Sequence, residues 1–399
     1  MRLQKAWPSR RIDSVQDVWA PASGRWYVKL VEGVDYLLNG FCIIIGATYG
    51  KGAGCMKSLR IVLLLLVVGA GVLFFWNKDD YLAPAQDTKS VESGDTEQTP
   101  KAEAAQKPNG DIERWINQAP ETLEEDQGEP DRIDESSYGY EWYIYDKGDA
   151  YAQYGVKDGR VITAFAVGEA SLAKAKLGES REEVEQDYPL QDEVSFRYDS
   201  NRYTFKLKDK DQQIQPLAQI GDGLFAQFYF DTFEDELTGV RVLTDEQLVM
   251  ERPYDVTYTG QLPEQPQLSD EEWQQVQGGM EQQIIDITNV MRANFDVPPL
   301  KWNDQVAAVA LGHSEDMQKQ QYFSHVTPSG EELGDRLADG QVKFQSAGEN
   351  IAAGYTDAPA AMIGWLNSEG HRKTMLEPSY EELGVGVYRY YYTQNFLLQ

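Results

Sequence analysis

Helix-like and strand-like patterns of apolar residues alternate along the C-terminal third of the chain. The apolar positions Ile284, Ile287, Met291 and Phe295 recur at three- and four-residue spacing, which predicts a helix with one buried face. Further helices are predicted over "NDQVAAVALGHSEDMQKQ" and "DAPAAMIGWLNSE", and strands over "LGVGVYRYYY" and "TQNFLLQ". This order of elements favours an α-β-α sandwich over residues 271–399.

A proline-rich stretch precedes that sandwich. Its sequence, "PYDVTYTGQLPEQPQLSDEE", predicts a linker over residues 251–270. At the end of the stretch, Ser269 is followed three residues later by Glu272, which resembles the capping box that begins a helix. The first helix of the sandwich is therefore expected to begin here.

Residues 112–250 show a weak internal repeat. The acidic segments "PETLEEDQGEPDRID" and "LGESREEVEQDYPLQDE" each predict a short helix. Each is followed by an aromatic strand, "YGYEWYIYD" or "NRYTFKLKD", and then by a hairpin pattern such as "AYAQYGVKDGRVITAF". The pattern predicts one α+β domain made of two repeated helix-plus-antiparallel-sheet units, with the aromatic residues in the sheet core.

One apolar run near the N-terminus bears on the compartment. Lys57 and Arg60 precede sixteen apolar residues, Ile61 to Trp76, which is the pattern of a signal peptide or signal anchor. A membrane span usually has about 17–25 apolar residues, so this run is slightly short and needs help from its flanking residues to cross the membrane. Residues 56–78 are interpreted as an anchor with the bulk of the chain outside the cell membrane. The alternative is secretion after cleavage near Ala85.

The segments on either side of the anchor are predicted to lack a packed core. Residues 79–111 are polar and contain proline and glycine, so they are expected to form a disordered tether. Residues 1–55 precede a signal that normally begins a chain, so they are interpreted as a leader, with Met56 as the physiological start. The alternative is a genuine cytoplasmic extension.

Charge and cysteine content exclude several classes of function. The chain carries 36 basic and 65 acidic residues, a formal net charge of -29, which disfavours binding to nucleic acid. Its two cysteines, Cys42 and Cys55, both precede the apolar run. Neither a disulfide nor a thiol nucleophile can therefore operate beyond it, and a lipid-modified cysteine after the anchor is excluded.

The candidate chemistry lies in the last 129 residues. His325, Glu349, Glu369 and His371 come from separate segments, "YFSHVTPSG", "SAGENIAAG" and "WLNSEGHR". Two imidazoles and one or two carboxylates could ligate a divalent metal. The alternative is a hydrogen-bonded polar cluster that orders loops, because no HExxH pair is present on one helix.

Six blocks of sequence resemble bacterial members of the CAP superfamily, which includes cysteine-rich secretory, venom-antigen and pathogenesis-related proteins. These are "IIDITNVMRANFDVPPLKWNDQVAAVALGHSEDM", "YFSHVTPSG", "AGENIAAG", "WLNSEGHRKTML", "LGVGVY" and "TQNF". Residues 112–250 are similar to the CAP-associated N-terminal domain found in many spore-forming, Gram-positive bacteria. The resemblance implies a three-layer α-β-α sandwich with a central cleft.

In many members of that superfamily, two histidines and two acids face the cleft and can hold a divalent metal. The resemblance places His325, Glu349 and His371 at three of these positions. The divalent metal expected there is zinc, with magnesium or calcium as alternatives. The fourth acid aligns with Ser368, whereas Glu369 is one residue away, about 100° around a helix. His313 and Asn350 are expected to support the cleft, together with Ser368.

Three functions remain open at this stage. The first is a membrane-tethered module outside the cytoplasm that binds a metal, a small ligand or a cell-wall, lipid or protein partner of the envelope. The second is a metal-dependent or serine-type hydrolase acting on wall or peptide substrates, although no GxSxG nucleophile motif is present. The third is a purely structural role.

Overall fold

The computed structural model describes residues 88–89, 112–168, 170–172 and 174–399. The helices are α1 Pro120–Gln127, α2 Arg181–Asp187, α3 Asp209–Ile214, α4 Asp245–Glu251, α5 Asp270–Asn294, α6 Asp304–Gln320, α7 Leu333–Asp339, α8 Ala358–Leu366 and α9 Glu369–Met375, with a 3-10 turn at Glu113–Trp115. The strands are β1 Thr88–Lys89, β2 Arg132–Glu135, β3 Glu141–Asp146, β4 Tyr151–Lys157, β5 Arg160–Val167, β6 Ser171–Leu172, β7 Ala175–Lys176, β8 Glu193–Tyr198, β9 Asn201–Lys206, β10 Leu217–Gly221, β11 Leu224–Asp231, β12 Glu236–Thr244, β13 Asp255–Thr259, β14 Lys301–Trp302, β15 Ser346–Ala353, β16 Glu382–Tyr388 and β17 Tyr391–Leu398.

The predicted leader, residues 1–55, and the predicted anchor, residues 56–78, lie outside the described residues. Of the predicted tether, residues 79–111, the structure describes only β1, which pairs in parallel with β13. Within the described part of the chain, no helix is long and apolar enough to span a membrane. The anchor and the tether stay predictions.

The N-terminal domain is built around a seven-stranded sheet in the order β10-β11-β12-β5-β4-β3-β2. Both predicted units contribute to it, because β5 of the first unit pairs with β12 of the second in antiparallel register. One face carries a core that includes Tyr145, Tyr154 and Phe228. The aromatic residues of these strands are therefore buried in the domain.

The second unit differs from the first in one respect. Its hairpin of β8 and β9 leaves the large sheet and joins β1 and β13 in a separate four-stranded sheet. This sheet packs against α4 and the large sheet in a second core, which includes Phe205, Leu248 and Phe225. The sequence repeat alone does not predict this division.

The C-terminal part is an α-β-α sandwich, as the periodicity predicts. Its four-stranded sheet has the order β14-β16-β17-β15, so β15 is an edge strand. Thr393 on β17 is hydrogen-bonded to Ser314 of α6, whereas its neighbour Gln394 is hydrogen-bonded to Thr288 of α5. Side chains alternate between faces along a strand, so α6 covers one face and α5, with α8 beside it, covers the other.

The first helix of the sandwich begins at the expected position. Ser269 accepts a hydrogen bond from the backbone of Glu272, whose side chain in turn accepts from the Ser269 backbone. This reciprocal capping box satisfies two backbone donors that the first helical turn would otherwise leave unpaired.

Glu281 of α5 is held against the sheet, where its carboxylate accepts a 2.9 Å hydrogen bond from the Val387 backbone. Burial raises the pKa of Glu281 from 4.5 to about 7, although this hydrogen bond partly opposes the rise. The native state therefore binds more protons than the unfolded state between these two pH values. The wild type should lose stability as the pH rises through that window.

Glu281→Gln is accordingly expected to be more stable than the wild type at neutral pH. The variant's advantage should grow from near zero at about pH 4 to on the order of 2 kcal/mol at about pH 8, because glutamine has no proton to lose. Urea unfolding at both pH values measures it. An advantage that stays constant over this range would contradict the raised pKa of Glu281.

Candidate functional site

Glu349 is the centre of the candidate site. It lies on the edge strand β15, with its side chain 4% exposed. One carboxylate oxygen is 2.8 Å from Nδ1 of His325, and the other accepts a 2.5 Å hydrogen bond from Arg336. Burial alone would raise the pKa of Glu349, but the His325 hydrogen bond and the Arg336 charge bring it below its ordinary value. Glu349 is therefore ionised, and His325 and Arg336 fix its two carboxylate oxygens.

Arg336 fixes the loop that carries His325. Its guanidinium, on α7, donates to the backbone carbonyls of His325 at 2.9 Å and Glu331 at 3.3 Å as well as to Glu349. A planar guanidinium donates in fixed directions, so it sets the loop and the carboxylate in one arrangement. Sequence reasoning missed Arg336, because nothing local in "ELGDRLAD" indicates a partner on β15.

His313 of α6 lies behind this pair. Its Nε2 is 3.1 Å from the Ser324 carbonyl and 3.9 Å from Glu349. Burial lowers the pKa of His313 to about 4, so the ring is neutral. Together with Arg336, His313 also lines a groove of about 430 Å³ between α6 and α7. Its burial fits the apolar stripe of the helix, and its role in supporting the cleft stays a prediction.

His371 approaches the site on α9 and is 2% exposed. Its Nδ1 is 2.9 Å from the Ser368 hydroxyl, and its Nε2 is buried without a hydrogen-bond partner among the described residues. Burial, together with the charges of His325 and Lys210, lowers the pKa of His371 to about 3. Lys210 belongs to the N-terminal domain, so both domains contribute to the electrostatics of the site.

Ser368 and Glu369 differ in their environment. Ser368 is 5% exposed, three residues after Trp365, and contacts His371, whereas Glu369 is exposed at the first position of α9. The side chain at the aligned position therefore faces the site, and that side chain is a serine. Glu369 is not brought together with the other three predicted metal ligands.

Asn350 braces the other side of His371. Asn350 follows Glu349 in the sequence and is fully buried. Its amide donates hydrogen bonds to the His371 carbonyl and to the side-chain oxygen of Gln394, each at 3.1 Å. Adjacent residues of a strand point to opposite faces. Glu349 consequently holds the His325 loop on one face of β15, while Asn350 holds α9 on the other.

The imidazole rings of His325 and His371 are oriented in the same way. Each is oriented through Nδ1 by an oxygen atom, Glu349 for His325 and Ser368 for His371, and neither Nε2 is hydrogen-bonded to a described residue. Histidines that bind a metal through Nε2 are commonly oriented this way. Both Nε2 atoms are thus open to a ligand, and Glu349 holds His325 through its other ring nitrogen.

A larger ligand set is not formed. Among the residues from 112 onward that the structure describes, no group of three or more His, Cys, Asp or Glu side chains could hold a metal ion. Arg336 already occupies one oxygen of Glu349. Zinc, magnesium or calcium at this site stays a prediction.

Comparison with known families matches two consecutive regions of the chain. The CAP-associated N-terminal family matches residues 116–254, and the cysteine-rich secretory protein family, known as CAP, matches residues 285–399. The uncharacterized membrane protein YlbC of Bacillus subtilis (strain 168) is 40% identical over 346 residues, which is 86% of this chain and 99% of that protein. The uncharacterized protein YkwD of the same strain is 33% identical over 106 residues, 27% of this chain and 41% of that one.

Two crystal structures resemble the fold. An extracellular protein with an SCP domain from Bacillus anthracis has a TM-score of 0.69 and 42% identity, covering 76% of this chain and all of that one. A cysteine-rich secretory protein from Staphylococcus aureus has a TM-score of 0.66 and 26% identity, and the alignment covers 73% of this chain and 94% of that one. Both alignments extend well beyond the C-terminal sandwich.

Proposed function

Because this chain belongs to the CAP family of cysteine-rich secretory proteins and carries a CAP-associated N-terminal domain, we propose that it is a ligand-binding module of the cell envelope. Its ligand site is the cleft between His325 and His371. The binding role goes beyond family membership, and it rests on the chemistry of these two side chains.

The proposed location is outside the cytoplasm, on a tether to the cell membrane. Residues 56–78 have the pattern of an anchor, and residues 79–111 have the composition of a flexible spacer. A relative that aligns over nearly its whole length is named a membrane protein, and a structural neighbour is described as extracellular. The proposed partners are therefore the membrane and a wall, lipid or protein ligand near it. Nucleic acid is not among them.

The observation that carries the proposal is the paired orientation of the imidazoles. An unpaired polar atom in a buried position costs free energy, about 1–3 kcal/mol for a neutral group, unless a partner arrives. Nε2 of His371 is such an atom, and His325 is held nearby by Glu349. A ligand that engages both Nε2 atoms would relieve this cost.

Zinc is the simplest probe of this cleft, because imidazole nitrogen is among its preferred ligands. His325 and His371 would hold the ion, and Glu349 would keep His325 in the binding orientation. When bound, zinc would act as a Lewis acid towards an oxygen ligand.

Zinc is expected to raise the melting temperature of the wild type by several degrees at concentrations about 100-fold above its Kd, since a ligand that binds only the native state stabilises it by about 2.7 kcal/mol. His371→Gln should abolish the shift. Differential scanning fluorimetry of zinc-free protein, with and without added zinc, measures both effects.

His313→Gln is the matched control, because this histidine lies behind Glu349. It should lower the melting temperature without zinc and retain the zinc shift. No shift of the wild type with zinc, magnesium or calcium would reject the metal form of the proposal. The cleft would then be tested with small polar organic ligands.

One contact favours a hydrolase as the second candidate. The Ser368 hydroxyl is 2.9 Å from His371, the distance at which an imidazole can activate a serine. However, among the described residues no carboxylate is hydrogen-bonded to the other ring nitrogen, as a catalytic triad requires. Turnover of an ester or peptide that disappears in Ser368→Ala would favour the hydrolase over the binding module.

A further inference from the structure

The segment that carries Ser368 and His371 is bound along its length by the N-terminal domain. This His371 segment, residues 357–372, comprises the N-cap of α8, α8 itself and the start of α9. Three contacts tie it to the large sheet of the other domain, one at each end and one between the two helices. Each is made by a different side chain of the segment.

The first contact is at the beginning of the segment. Asp357 caps α8 by accepting a 3.0 Å hydrogen bond from the Ala360 backbone through Oδ1. Its Oδ2 accepts a 2.5 Å hydrogen bond from Arg241 of β12, and both side chains are almost completely buried. The start of α8 is therefore fixed by a desolvated charge pair across the domain junction.

The second contact is in the turn between the helices. The Asn367 side-chain oxygen accepts from the backbone and the hydroxyl of Thr232, at 2.8 and 2.7 Å. Its amide donates to the Phe230 carbonyl at 2.8 Å and to the Ile363 carbonyl at 3.1 Å. One amide side chain thus joins the end of α8 to the end of β11.

The third contact lies one residue after His371. Arg372 donates to Asp231 at 2.5 Å and to Glu234 at 3.2 Å, and its guanidinium lies over the ring of Phe233. The Asp231 side chain is 4% exposed, so this pair is largely desolvated. It anchors the first turn of α9, where His371 lies.

We propose that Arg241, Thr232 and Asp231 are positioning residues, through which the N-terminal domain holds His371 against the cleft. This inference rests on the proposed binding function and gives the N-terminal domain a part in it. Buried arginine–carboxylate pairs require closely defined geometry, so they transmit the position of one domain to the other. The Lys210 charge at His371 also comes from the N-terminal domain.

The two aspartates offer matched variants. In each, Oδ1 accepts from a nearby backbone amide and Oδ2 accepts from an arginine of the other domain. Asp231→Asn and Asp357→Asn should therefore keep the local backbone bond and lose only the bond across the junction. Asp126→Asn is the control, since it breaks the exposed Arg114 pair within the N-terminal domain.

The test is heteronuclear NMR of the imidazoles in the full chain, without any metal or ligand. The protein has three histidines, so its imidazole spectrum holds three sets of signals, assignable with single His→Gln variants. In Asp231→Asn and Asp357→Asn, the His371 signals should shift or broaden while those of His313 stay in place. Amide exchange of residues 358–375 should accelerate by about tenfold or more relative to the strands β16 and β17.

Unchanged His371 signals and unchanged exchange in both variants would overturn the proposal. Equal changes at all three histidines would also overturn it, because they would show general destabilisation and no specific positioning. Asp126→Asn should reproduce the wild-type spectrum. Because no ligand is added, failure of the zinc experiment and failure of this one are separate results.

Discussion

Arg241→Ala is expected to lower the free energy of unfolding by about 3–5 kcal/mol, the usual cost of removing one partner from a buried charge pair. Arg241 is 1% exposed and pairs with Glu251 at 3.2 Å and with Asp357 at 2.5 Å. The variant would leave two carboxylates without their shared arginine in a buried junction. Burial already raises the pKa of Glu251 despite the arginine beside it.

The loss should exceed what the missing aliphatic contacts alone would cost, because both carboxylates are buried. Glu251 is also hydrogen-bonded by Gln247 and Tyr140, which keep it in place after the arginine is removed. It cannot readily turn towards solvent, so protonation would be its main relief. The destabilisation should therefore diminish as the pH falls and the carboxylates take up protons.

Guanidinium chloride unfolding of the full chain measures this change. Arg114→Ala, which breaks an exposed pair with Asp126, should cost no more than about 1 kcal/mol. A loss below about 1 kcal/mol for Arg241→Ala would show that water or a rearranged side chain neutralises both acids. That result would also weaken the case for a rigid junction.

The sandwich was predictable because its elements repeat over short distances. The apolar spacing from Ile284 to Met291 matches the buried face of α5, and the Ser269 capping box marks its first residue. "LGVGVY" and "TQNFLLQ" form the adjacent strands β16 and β17. Periods of two or about 3.6 residues leave a local trace in the sequence, and these patterns need no knowledge of distant partners.

The part of the site that could be predicted also lies in local sequence motifs. The resemblance identified the blocks that hold His325, Glu349 and His371, and the structure brings His325 against Glu349 at 2.8 Å. The partners of these residues were not predictable. Arg336 and Lys210 carry no local signal, because their relation to the cleft arises from the packing of separate elements. The separate sheet of β8 and β9 escaped prediction for the same reason.

The glycines of "LGVGVY" show what this motif does physically. Gly384 and Gly386 lie on the face of β16 that packs against α6, where an added Cβ would overlap the backbone of Ala307 or Leu311. The helix can approach the sheet this closely only because both positions lack a side chain. That approach lets Ser314 donate a 2.8 Å hydrogen bond to the Gly386 carbonyl. The same helix carries His313 behind the cleft.

Gly386→Ala is therefore expected to cost about 3 kcal/mol or more in unfolding free energy, at the upper end of overpacking, because the obstacle is helix backbone and not a flexible side chain. Displacing α6 would also break the Ser314 bond and move His313 away from Glu349. Gly278→Ala on α5 is the control: no other described residue lies within 4 Å of its added Cβ, so it should gain about 0.5–1 kcal/mol from reduced backbone entropy. Urea unfolding separates the two. Equal effects would mean that the tight approach of α6 to β16 does not constrain the sandwich, and that His313 owes its position to other contacts.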